Sequence, residues 1–249
     1  MENWILESAI MIAAGFLAGA LNAVAGGGSF ITLPALVAVG LPPLLANATG
    51  TAALLPGYVA SVWKFRRSMR LPAGISWLTL VVLTLGGGAL GAVALLLSPG
   101  QLFNALIPWL VLFASGLFAF APYFLQGGHS NRSRPRWHWL LLCGVCVYGG
   151  YFNGGVGIVL LAVLYLLGQN DLHGMNGLKN LMSALLTTVA VVIYGVGGLL
   201  DFSHLWLLAA SAVAGGYGGA ALAYHIPARW LRGFIVLVGL AVAVIFFLR

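Results

Sequence analysis

Charge is what this sequence has least of. Only 6% of its 249 residues are charged, and four are carboxylates: Glu2, Glu7, Asp171 and Asp201. Soluble domains carry about 25% charged residues, so the chain reads as an integral membrane protein. Its longest polar stretch, "QGGHSNRSRPR" at 126–136, leaves no room for a soluble domain. Glu2 and Glu7 stand where a signal peptide would carry basic residues, so the start reads as mature sequence. All four carboxylates lie near segment ends, which excludes a buried acidic proton relay. Cysteine is nearly absent too: Cys143 and Cys146 lie in one hydrophobic segment, so no disulfide framework is implied. The two share a helix face, where a sulfur substrate could touch them, but inert buried packing is the more ordinary role. His173, His204 and His225 stand near segment ends without metal-ligand spacing on a shared helix. No cofactor or metal is expected.

What is present is hydrophobic, basic and rich in glycine. Hydrophobic residues make up 61% and the net charge is +7. Lys and Arg collect in the cytoplasmic loops of membrane proteins, beside anionic lipid. The basic balance therefore points to the lipid bilayer and not to nucleic acid. Hydrophobic segments run at about 5–40, 45–63, 73–97, 102–125, 138–168, 174–199, 203–225 and 230–248, against roughly 20 residues needed to span lipid. These continuous runs exclude a membrane β-barrel, whose strands alternate. The expected fold is an all-α polytopic membrane protein of eight hydrophobic segments and about ten helices, because segments one and five are overlong and glycine-interrupted.

The chain also matches itself. An offset of 128 places Gly26 and Gly27 over Gly154 and Gly155, Gly40 over Gly168, and Gly87, Gly88 and Gly91 over Gly215, Gly216 and Gly219. Pro99 then falls on Pro227, and one inserted residue puts Asn47 over Asn176 and Thr51 over Asn180. Two tandem repeats are expected, 1–125 and 138–249, joined by a cytoplasmic linker at 126–137. With five passes per half and the N-terminus outside, Lys64, Arg66, Arg67, Arg70, Arg132, Arg134, Arg136, Lys179, Arg229 and Arg232 fall on or near the cytoplasmic side, leaving only Arg249 of the eleven basic residues outside. Eight passes would strand three of them. An odd number of passes makes the repeats inverted, a common transporter plan. Trp4, Trp63, Trp137, Trp139, Trp206 and Trp230 sit near segment ends, as interfacial aromatics do.

Broken helices need a reason. Glycine costs a helix about 1 kcal/mol and interior proline about 3, yet "LNAVAGGGSFITLPAL" (21–36) contains both. Irregular backbone at membrane depth survives only inside protein or along a wet cavity. A restarted helix offers free N–H groups and the positive end of its dipole, which suit an anion, and glycine permits close approach. Gly26, Gly27, Gly28 and Ser29 fit this role in the first half; Gly154, Gly155 and Gly157 fit it in the second. The glycines of "GFLAG" (15–19) and "GGGALG" (86–91) read instead as packing contacts. In "HGMNGLKNLMS" (173–183), Asn176, Lys179 and Ser183 form a polar stripe with Asn180 beside them. Two readings of Lys179 stand: a charge lining a pathway, or a lysine snorkelling to the nearby interface. The matching first-half stretch, "ANATGT", offers Asn47, Thr49 and Thr51.

These stretches together — "GxxxGxxNAVAGGGSFITLPAL…ANATGT", then "NGGVG…MNGLKN" — resemble the sulfite exporter TauE/SafE family of bacterial membrane permeases, over essentially the whole chain. The resemblance implies inner-membrane transport, without ATP, of sulfite, thiosulfate, sulfoacetate or a similar small anion. The second half departs from the fuller pattern: Val156 interrupts the glycines and Ala162 replaces the proline. The expected function is thus a permease for a small anionic substrate bound between the breaks and exposed alternately to each side. A non-transporting assembly partner and an intramembrane enzyme are the alternatives. Ser29 is the one nucleophile hint for the latter, and no base is evident within its reach.

The charge count makes one test direct. A cysteine replacing Arg132, in a variant lacking Cys143 and Cys146, should resist impermeant thiol reagents added to intact cells. Strong labelling from outside would overturn the inverted arrangement.

Overall fold

The computed structural model describes residues 2–24, 26–72, 74–126, 138–169, 171–219 and 228–248. The linker expected at 126–137 falls outside them from 127 on, with Arg132, Arg134, Arg136 and Trp137; so do His225, Pro227 and Arg249. All regular structure among the described residues is helical. The first half holds α1 (Glu2–Val24), α2 (Ser29–Ala38), α3 (Pro43–Phe65), α4 (Trp77–Leu96) and α5 (Gly100–Gln126). The second holds α6 (His138–Tyr151), α7 (Val156–Leu166), α8 (Leu172–Val196), α9 (Phe202–Ala214) and α10 (Ala228–Phe247).

The first and fifth hydrophobic segments are each two helices, as their glycines and length require. Among the described residues, four helices are long and apolar enough to cross a membrane, at Trp4–Ala23, Trp77–Leu96, Gly100–Leu117 and His173–Val196. The ten residues of α2 span about 15 Å, roughly half of a bilayer's hydrocarbon core. The expected segment at 203–225 is interrupted early, because α9 gives way at "GGYGG" to a π-helical turn, Gly215–Gly219.

Local chemistry sets the ends. Asp171 caps α8 by accepting from the N–H groups of His173 and Gly174 at 3.1 and 3.0 Å, and Ser76 caps α4 by accepting from Thr79 N–H. The short arms stop identically. Gly40 and Gly168 adopt φ +99° and +86°, which L side chains avoid. Behind them Leu41 N–H donates to Leu36 O and Gln169 N–H to Leu164 O, each at 3.1 Å. These are paired Schellman stops, 128 residues apart.

Packing repeats as well. α1 packs on α9 as α6 packs on α4; α3 meets α9 as α8 meets α4; α2 touches α10 as α7 touches α5. α3 and α8 pack together, as do α5 and α10. Exchanging the halves thus carries these contacts onto one another.

Lipid tails are as apolar as leucine, so helix association relies on close approach through small residues. Gly15 and Gly19 lie on the backbone of α9 at Leu208 and Ala212. Gly87 lies on Cys146, and Gly91 on the Val147 carbonyl of α6. Both clusters therefore pack, as expected, and buried Cys146 serves that contact. Trp4, Trp63, Trp139 and Trp206 are exposed on the outer surface, where lipid would cover them.

A Cβ at Gly88 would stand 2.9 Å from Leu186 Cα, and the Gly150 backbone already presses on Gly88 from α6. Gly88→Val should therefore cost about 1–3 kcal/mol through overpacking. The expected result is less folded protein recovered in detergent and a lower thermal midpoint. Undiminished yield and midpoint would remove Gly88 from the packing set.

Candidate functional site

α1 ends at Val24 and α2 starts at Ser29, so Gly26, Gly27 and Gly28 carry the chain through the first break. Gly26 turns it with φ +77°, and Gly155 does the same at +71° just before α7. Asn153 also lies in the left-handed region, at φ 55°, alone in this among the described non-glycine residues. The first turn of α2 is partly satisfied from behind: Phe30 N–H donates to Gly27 O, and Ile31 and Thr32 N–H to Gly28 O. Among the described residues, no backbone acceptor is found for the N–H groups of Gly27, Gly28, Ser29, Gly155 or Gly157. For Gly155 and Gly157 these are the orphan donors that a helix start leaves; Ala25, which precedes Gly28 and Ser29 by three and four residues, lies outside the described residues.

The two breaks meet. A Cβ at Gly26 would lie 3.1 Å from Gly157 Cα and 3.7 Å from Lys179 Nζ. One at Gly157 would lie 3.1 Å from Gly26 Cα and 3.3 Å from Lys179 Cδ. The closest crossing is therefore Gly26 on Gly157, with the Lys179 stem running beside it.

Lys179 is wholly buried, at 0% exposure. Its Nζ has no hydrogen-bond partner, and no neighbouring charge acts on it. The snorkelling reading is not what the structure shows. Residues 65–70 cover the start of α8: Gly174 sits under Ser68 O, Gly177 under Phe65 and Met69, and Gln169 Nε2 donates to Arg70 O at 3.0 Å. With that end covered, the lysine turns inward to the crossing. An unpaired buried ion carries a penalty of several kcal/mol. The stripe extends along α8, because Ser183 and Thr187 are also fully buried, their hydroxyls without partners.

The other expected residues divide. Asn180 and Thr51 are buried, as is Ser29 at the start of α2, while Asn176 is half-buried and makes interactions of its own. Thr49 is engaged structurally, its hydroxyl accepting from Asp201 N–H at 3.0 Å to tie α3 to α9. Asn47 donates to Tyr151 O at 3.1 Å, tying α3 to α6. Gly154 braces the second turn: its N–H donates to Phe152 O at 2.7 Å, and its carbonyl accepts from the Tyr148 hydroxyl at 2.5 Å. Gly28 packs against Ala18 O and Leu54. Away from the breaks, His204 Nδ1 and Asp201 pair at 2.8 Å at the start of α9. Partial burial pushes the Asp201 carboxyl up, but bonds from the His204 backbone and ring outweigh it and hold the group below its ordinary value.

Three polar residues at the breaks were missed from sequence. Asn22 Oδ1 and both side-chain polar atoms of Asn153 are buried without well-formed hydrogen bonds, and buried Tyr58 of α3 reaches toward both. The asparagines of "LNAVAGGG" and "YFNGGVG" were the available signal, since each immediately precedes or enters a break.

Comparison with known proteins places the chain among membrane transporters. The pattern of the family described as "Sulfite exporter TauE/SafE" matches residues 11–246. The "Probable membrane transporter protein" of Haemophilus influenzae is 27% identical over 236 residues, covering 92% of this chain and 90% of that protein. "Probable membrane transporter protein ORF9" of a Sinorhizobium species is 26% identical, covering 95% and 90%. "Probable membrane transporter protein YfcA" of Escherichia coli K12 is 26% identical, covering 89% and 82%.

The crossing can be tested with one methyl. Gly157 has ordinary helical backbone, so Gly157→Ala adds bulk without strain at a point already 3.1 Å from Gly26 Cα. Gly155→Val, by contrast, would force a β-branched residue into left-handed backbone and confuse folding with function. Gly157→Ala should lower anion flux into vesicles at least tenfold, with folded yield near normal. Normal flux would show that the crossing can open without consequence.

Proposed function

The chain belongs to the sulfite exporter TauE/SafE family and is a multi-pass membrane transporter, and from that premise we propose that it carries a small anion across a bacterial inner membrane. The cargo is a sulfur oxyanion or organosulfonate of the sulfite, thiosulfate or sulfoacetate kind. The observation that carries this reading is Lys179, a buried ammonium with neither partner nor counter-charge, placed where two helix breaks cross. A cation so placed is best satisfied by an anionic ligand, and the orphan N–H groups of the restarted helices add hydrogen bonds to it.

In this reading Gly26 and Gly157 permit the approach. Gly27, Gly28, Ser29 and Gly155 supply backbone donors, Thr51, Asn176, Asn180 and Ser183 supply side-chain donors, and Lys179 supplies charge. The halves, 1–125 and 138–249, are inverted repeats that rock about the crossing and expose it alternately. No chemical step on the substrate is involved; the protein works as a permease and not as an enzyme.

A charge pair about 4 Å apart gains roughly 4 kcal/mol at an effective dielectric near 20, so losing the lysine charge should be felt in affinity. Lys179→Gln keeps length and hydrogen bonding but removes the cation. Half-saturating anion concentration in vesicle uptake should rise at least tenfold, about 1.4 kcal/mol. An unchanged half-saturation would take Lys179 out of the site.

A further inference from the structure

We propose that Lys179 also binds the proton that travels with the anion: an ammonium while anion occupies the crossing, and a neutral amine while the emptied site reorients. This rests on the anion site proposed above and adds the coupling to it. The argument starts from what surrounds the amine. Its Nζ is buried without a partner, and none of the carboxylates whose side chains are described, Glu7, Asp171 and Asp201, acts on it.

The helices packed on α8 are α3, α4, α6 and α7. Their titratable residues are Tyr58 and Lys64 on α3, His138, Cys143, Cys146, Tyr148 and Tyr151 on α6, and Tyr165 on α7; α4 has none. His173 and Tyr194 share α8 itself. Among those whose side chains are described, none forms a hydrogen bond or charge pair with Lys179. Once the anion has left, no described group balances the ammonium, and an isolated buried charge is the state that proteins avoid by neutralising the group.

The step balances simply. One N–H bond of the ammonium breaks, the electron pair stays on Nζ, and the proton passes to water or to the departing anion on the same side. The next anion arrives with a proton from water on the opposite side, which restores the ammonium. No oxidant or reductant takes part. One proton accompanies each anion, so a monoanion moves without net charge and a dianion moves one negative charge.

Wild-type protein in vesicles with a lumenal pH dye provides the test, using sulfite, thiosulfate and sulfoacetate in turn and correcting for each anion's own buffering. An inward gradient of a carried anion should acidify the lumen by one proton per anion. With membrane potential held at zero, an alkaline lumen should concentrate the anion about tenfold per pH unit beyond protein-free vesicles. Anion uptake with neither effect overturns the proposal. Lys179→Arg cannot shed its proton. It should exchange labelled anion for unlabelled at a tenth or more of the wild-type rate, while net uptake and acidification fall at least tenfold. Net uptake by the arginine variant as fast as its exchange would also overturn it. If wild type exchanges none of the three anions, the anion site falls first and this inference with it; exchange without proton movement removes the coupling alone.

Discussion

The structure turns on a single buried amine held where two helices are broken. Lys179 is fully buried without a partner, in a chain with only four carboxylates. Everything near it follows from the need to hold that amine inside. The start of α8 is closed over by residues 65–70, which removes the short route to water. Glycines at 26 and 157 leave room for the stem beside the two backbones. Both interrupted helices restart beside the same crossing. The unsatisfied side chains there include acceptors, Asn22 and Asn153, as well as the amine. That is the setting in which the proposed anion would bind.

Holding such a site at membrane depth requires a rigid frame, since irregular backbone has to be enclosed by protein. The frame is built by glycine contacts that do nothing else. α1 seats Gly15 and Gly19 on α9, and α4 seats Gly87 and Gly91 on α6. The broken segments are thus each clamped by a helix of the opposite half. Tyr148 and Tyr194 tighten the second clamp by donating to the carbonyls of Gly154 and Gly150. The packing glycines and the site glycines have different neighbours: the former meet side chains and carbonyls of a partner helix, the latter meet each other and the lysine.

Much of this was legible in the sequence. Disrupted hydrophobic segments at matched positions revealed both breaks, and Gly40 over Gly168 marked paired helix stops that the backbone then forms identically. The division of glycines into packing and site sets held for Gly15, Gly19, Gly87, Gly88 and Gly91. Inside the breaks it was coarser. Gly28 and Gly154 also serve packing and turn bracing, and the Thr49 hydroxyl also accepts from Asp201 N–H. Such roles depend on which helix arrives opposite, and spacing along one chain does not contain that. Asn22, Asn153 and Tyr58 were missed for the same reason: a polar residue near a break gains meaning only when its neighbours leave it without partners. Lys179 was ambiguous because five residues from a segment start is within snorkelling range, until the 65–70 stretch is seen to close that end.

The helix contacts of the two halves correspond, but their charges do not, and the difference has a physical reading. The one-residue shift that sets Asn47 over Asn176 also sets Gly50 over Lys179. Gly50 is filled by its neighbour, with the Thr32 hydroxyl 2.7 Å from where its Cβ would be, so α2 closes on α3 directly. A lysine at both places would set two ammonium groups about one crossing, and at about 4 Å their repulsion would be roughly 4 kcal/mol at an effective dielectric near 20. One anion could not balance both without bearing two charges. Glycine in one half and lysine in the other lets a two-fold scaffold present a single cation. In the proposed reading, the matched breaks supply the crossing and this one position supplies the charge, so the site would hold one small anion at a time.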